Sequence, residues 1–137
     1  MAQSPQAKLS RTQARDLDVE AGFLAGLVGR DPQWAEALGA LGDVYEQRGR
    51  FREALLVDEQ LKTLRPADPE VRYHLACSLT RSGRFEHAAE ELSTALELGY
   101  ADWQALSRDP DLAPLRAHPA YHRVRSKIRR LRVKPTA

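Results

Sequence analysis

Residues 41–54 read LGDVYEQRGRFREA, and residues 75–88 read LACSLTRSGRFEHA. A shift of 34 residues brings Leu41 onto Leu75, Gly42 onto Ala76, Gly49 onto Gly83, Phe51 onto Phe85 and Ala54 onto Ala88. Outside these stretches the same shift brings Pro32 onto Pro66. A fixed period of this length marks a solenoid, in which each unit buries its apolar face by stacking on its neighbour. Small residues at 42, 76, 54 and 88 let two helices approach closely, and glycines at 49 and 83 permit the tight turn between them. Pro66 stands after the second helix has ended.

The first unit, residues 35–68, with Leu41-Gly42, Tyr45, Gly49, Phe51, Ala54 and Pro66, resembles the tetratricopeptide repeat. The second, residues 69–102, keeps Leu75, Ala76, Leu79, Gly83, Phe85, Ala88, Leu92 and Ala95 but ends on Tyr100 where the proline is due. Upstream, Leu17, Leu24, Leu27 and Val28 fit a half-repeat over 12–34, with Phe23 joining its apolar face. Downstream, Asp109-Pro110 replaces the Leu-Gly pair, so 103–132 reads as a degenerate capping unit. Its stretch from Ala101 to Leu106, followed by Asp109 to Arg116 and His118 to Tyr121, resembles the closing segment of bacterial tetratricopeptide arrays. The resemblance implies an all-α fold, a short right-handed helical-repeat solenoid of about seven helices in one domain, 12–132. Residues 1–11 and 133–137 are expected to be flexible. Helices are expected near 12–30, 34–48, 51–64, 69–81, 85–98 and 119–132, with a broken short pair within 102–116. Asp68-Pro69 and His118-Pro119 are the expected starts of two of these segments.

The composition agrees with one helical domain. The chain has 137 residues, 42% of them apolar, and only three Phe, four Tyr and two Trp. Cys77 is the single cysteine, so an internal disulfide is excluded and a multi-cysteine metal site has no basis. Residues 1–10 are largely polar, with Leu9 the one large aliphatic residue, and the longest apolar run, Ala21–Val28, is about a third of a membrane span and holds two glycines. A cytoplasmic, reducing location is expected. The charge is unevenly spread: residues 1–116 carry 14 basic and 19 acidic side chains, whereas 117–137 carry seven basic ones and no acid.

In the resembled family, positions 2, 5, 9, 12 and 13 of each repeat line a groove. Carried over by position, these are Glu36, Gly39, Asp43, Glu46 and Gln47, then Glu70, Tyr73, Cys77, Thr80 and Arg81. With Tyr45 they form the expected protein-binding surface. Its acidic near end suits a basic or amphipathic peptide or protein. A clamp for acidic chaperone tails, which some family members carry, is excluded because its asparagine positions hold Asp43 and Cys77. The second candidate surface is the basic patch Arg123, Arg125, Lys127, Arg129, Arg130, Arg132 and Lys134. There Val124, Ile128 and Leu131 form an apolar stripe at helical spacing. The patch would dock as a last capping helix, or contact nucleic acid or another anion in a salt-sensitive way.

Chemistry is not expected. Cys77 has no activating sequence near it. His118 and His122 have metal-ligand spacing but no third donor nearby other than candidates such as Asp111, and they read as a helix start and a surface imidazole. His74 and His87 have no paired acid that the sequence would place beside them. No phosphate-binding glycine loop or serine elbow occurs, so no catalytic residue, metal or cofactor is assigned. Asp58 occupies a position that is normally large and apolar, and an ion pair with Arg72 or Arg81 is its expected reason. Whether a second copy covers the ends of the stack is open at this level.

Overall fold

A computed structural model describes residues 8–133, and among these it contains eight α-helices, two 3-10 turns and no strand. The expected segment before residue 8, Lys134 and the tail beyond it lie outside the described residues. The rest divides into two compact units, 8–66 and 67–133.

The N-terminal unit holds α1 (Arg11–Arg30), α2 (Ala35–Arg48) and α3 (Phe51–Leu64). A capping box starts α1: the Gln13 amide donates to Ser10 Oγ at 3.1 Å, and the Ser10 amide donates back to Gln13 Oε1 at 2.9 Å. Its inward face carries Leu17, Ala21, Leu24 and Val28 at spacings of three and four. These pack with Leu38, Leu41, Val44, Val57, Leu61 and Leu64 into one core. Gly42 supplies the close approach foreseen for it: a Cβ there would stand 3.2 Å from Val57 Cγ1 on α3.

The C-terminal unit begins with α4 (Pro69–Arg81) and α5 (Phe85–Glu97). Asp68 caps α4 by accepting from the Glu70 amide at 2.9 Å, with Pro69 at the first helical position where no amide donor is needed. The closing segment follows as α6 (Trp103–Arg108), a 3-10 turn at Pro110–Leu112, α7 (Ala113–Arg116), a second 3-10 turn at Pro119–Tyr121 and α8 (His122–Val133). α5 is the hub, touching α4, α7, α8 and the second 3-10 turn. Its small face, Ala88, Ala89 and Ala95, is fully buried, as are Leu92 and, elsewhere in the unit, Leu112, Leu115 and Val124.

Helices stop in the same way three times. Gly49, Gly83 and Gly99 have φ of 80°, 74° and 105°, a left-handed conformation that other residues adopt only at a cost. Beside each, the next residue's amide reaches five residues back: Arg50 to Tyr45 at 2.8 Å, Arg84 to Leu79 at 2.9 Å and Tyr100 to Ala95 at 2.9 Å. Gly99 explains why the second unit lacks the terminal proline. The glycine stop ends α5 and frees Tyr100 to turn inward, where it is 7% exposed.

Candidate protein-binding surface

On α2 the residues expected to line a groove divide by exposure. Glu36, Asp43 and Gln47 are exposed, and Gly39 and Glu46 are half-buried. Glu36 accepts from Arg65 Nη2 at 2.9 Å. Its carboxyl is held below the usual range, first by a hydrogen bond from its own backbone amide and then by that guanidinium. Tyr45 is a packing residue: it lies half-buried against the core, with the Arg50 guanidinium 4.9 Å above its ring.

The corresponding face of α4 is largely covered, which corrects the expectation for Tyr73 and Cys77. Tyr73 and Cys77 are 6% and 4% exposed, and Thr80 is buried with its hydroxyl donating to the Ala76 carbonyl at 2.8 Å. Only Glu70 is exposed, and Arg81 is half-buried. The cover is the cap itself. The Tyr73 hydroxyl donates to Asp109 Oδ2, and its ring stacks on Tyr100 at 4.4 Å between centroids. Arg81 pairs with Asp111 at 3.2 Å. The 3-10 turn at Pro110–Leu112 thus lies against α4, held at both ends by the two aspartates flanking Pro110. Burial, followed by the bond to Asp109, pushes the Tyr73 phenol well above its ordinary range. Burial likewise pushes Tyr100 up to about 12.

Cys77, Asp109 and Asp111 bring a thiol and two carboxylates within 4.8 Å of one another. Those oxygens are already engaged: Asp109 accepts the Tyr73 hydroxyl and the Asp111 amide, and Asp111 faces a guanidinium. The arrangement makes a hydrogen-bonded clasp with its charge met by Arg81. A cation would have to displace those contacts. The spacing of Asp109 and Asp111 around a proline, set opposite Tyr73 and Arg81, is the sequence signal from which the clasp could have been read.

Asp58 is buried, at 6% exposure. Arg72 donates to Glu91 at 2.9 Å, with both side chains largely buried, and Arg81 meets Asp111. His118 is a cap: its Nδ1 accepts the Ala120 amide at 3.0 Å and its ring stacks on Phe85 at 4.5 Å.

The basic helix α8 docks by its apolar stripe, with Val124 fully buried and Ile128 and Leu131 half-buried. Several of its cations have intramolecular roles. Lys127 pairs with Glu97, Arg125 donates to the Arg116 carbonyl at 3.1 Å, and Arg132 lies 5.9 Å over the Trp103 ring. Arg123, Arg129 and Arg130 are exposed and make no ion pair among the described residues. Arg125, Arg129 and Arg132 line a shallow hollow of about 420 Å³ floored by Ile128. Among the described residues no helix is long and apolar enough to cross a membrane.

A family model described as a tetratricopeptide repeat matches residues 37–72. It spans α2, α3 and the start of α4. No curated protein matches the chain.

Proposed function

Because this chain is a tetratricopeptide-repeat protein, we propose that it is a non-catalytic adaptor that binds a protein or peptide through the outward face of α2. Repeat proteins of this kind generally serve as protein-interaction modules. The observation that carries the finer reading is the asymmetry between the two equivalent faces. Glu36, Asp43 and Gln47 stand exposed on α2, whereas Tyr73, Cys77 and Thr80 are buried on α4. The available face is acidic, so its partner is a basic or amphipathic segment, steered by charge and held by a few contacts. A cytoplasmic setting belongs to this reading, with Cys77 a buried, reduced thiol.

The test is quantitative capture from cell extract, after nuclease treatment, by the parent chain and by a variant carrying Asp43→Lys and Gln47→Lys. Proteins held by the parent and lost at least about tenfold with the variant support the reading. Equal capture by both refutes it.

A second reading rests on Arg123, Arg129 and Arg130, which are exposed with no ion-pair partner among the described residues. On it, α8 contacts the phosphates of a nucleic acid. Binding would then fall steeply with salt and be lost on Arg123→Ala/Arg129→Ala/Arg130→Ala. Nuclease-resistant capture indifferent to these three substitutions counts against it.

A further inference from the structure

Positions 23, 57 and 91 are 34 residues apart and occupy one place in the repeat. In the two later helices that place faces the helix opening the same unit. Val57, 5% exposed, lies against Gly42 of α2. Glu91, 8% exposed, bonds Arg72 of α4 at 2.9 Å. On α1 the same place is Phe23, which is 64% exposed, with Val19 one turn away at 67%. The other side of α1 is committed to the core through Leu17, Ala21, Leu24 and Val28. This helix therefore has a second apolar side, in register to receive another helix.

We propose that this side of α1 docks on the same side of α1 in a second copy of the chain, antiparallel, about a two-fold axis at Phe23. The charges select that partner. At a step of about 100° per residue, Asp16, Val19, Leu27 and Arg30 all project within about 40° of Phe23. Asp16 and Arg30 each lie seven residues from Phe23, on opposite sides. An antiparallel pair centred there sets Asp16 of each copy against Arg30 of the other, and Val19 against Leu27. A parallel pair would set aspartate on aspartate and arginine on arginine. Asp16 is exposed and has no polar partner among the described residues. Arg30 makes one long bond, 3.4 Å to the Gly26 carbonyl, which it can release. Gly26, with nothing within 4 Å of where its Cβ would stand, leaves room for Glu20 of the other copy.

The two-fold arrangement closes on itself, giving a dimer and not a filament. One helix face per copy buries less than the roughly 1,200 Å² of a stable interface, so the dimer dissociates in the micromolar range.

Sedimentation velocity of the full chain, from low to several hundred micromolar, reads this directly. The expected result is a monomer–dimer equilibrium that Phe23→Asp weakens at least about tenfold. Asp16→Arg and Arg30→Asp should each weaken it by about fivefold, and the double exchange should restore the parent constant. These side chains are exposed, and circular dichroism checks that each variant keeps its helices. A monomer at every concentration, a dimer indifferent to Phe23→Asp, or a double exchange that fails to restore association overturns the proposal. The α2 face is not substituted in any of these variants, so the outcome is separate from that of the partner-capture experiment.

Discussion

Glu91 shows what one position of the repeat can hold once its surroundings are fixed. Its equivalent in the preceding unit is Val57, an apolar residue in a core. Glu91 is nearly as buried, and it is tolerated because Arg72, on the adjacent helix, meets its carboxylate at 2.9 Å. An ion pair so placed contributes little beyond what an apolar pair would, but removing one member leaves a desolvated charge behind. Arg72→Met should therefore destabilise the fold by about 3 kcal/mol, read as a lower midpoint in urea at unchanged slope.

The clasp between α4 and the 3-10 turn at Pro110–Leu112 is the element that separates the two ends of the repeat in character. Asp109 does two jobs, capping the turn through the Asp111 amide at 2.9 Å and accepting the Tyr73 hydroxyl. Asp109→Ala removes both and leaves a buried phenol without its acceptor, at a cost of about 1–3 kcal/mol. Cys77 lies beneath the clasp, so the same substitution should speed its reaction with a thiol reagent at temperatures where the parent is still folded. A labelling rate equal to the parent's would show that the clasp does not shield the thiol. Most of this element's position was legible beforehand. Local chemistry marks the starts at Asp68-Pro69 and His118-Pro119, whereas Asp109-Pro110, which caps its turn in the same way, reads in sequence only as a departure from the Leu-Gly pair. The inward turn of Tyr73 and Cys77 was not legible, because the repeat register gives the side of a helix and not what lies over it. That cover is a long-range contact, 36 residues from Tyr73 to Asp109.

For the whole molecule, charge and ionisation set the conditions of stability. Basic groups concentrate after residue 116 while the preceding chain is acidic, so association with charged partners should depend on ionic strength. The buried phenols give a second dependence. Tyr73 and Tyr100 are raised above their ordinary value, the latter to about 12, so the folded chain retains protons that the unfolded chain releases near pH 10. Stability should be unaffected by these groups below about pH 10 and fall steadily above it, through the range in which Tyr100 ionises. Thermal melts between neutral pH and pH 12, read with tyrosinate absorbance, check the sign: unfolding should coincide with release of the phenolic protons. Phe at both positions should flatten the alkaline limb. The repeat period made the helical architecture readable over most of the chain, since it is written in apolar spacing and turn glycines. The exposed side of α1 was only half readable, because Phe23 looks like a core residue until its neighbours are seen.

The three glycine stops bear on how quickly the chain reaches its fold. Each is specified within a stretch of six residues, and α1–α2, α2–α3 and α4–α5 are neighbours both in sequence and in space. Closing such short loops costs little entropy, so each hairpin can form early, before any distant segment arrives. The contacts that α8 and the Asp109 turn make with α5 and α4 close much longer loops and should come last. Refolding should thus begin on the submillisecond scale of helical proteins, with Cys77 protected from labelling only in the final step.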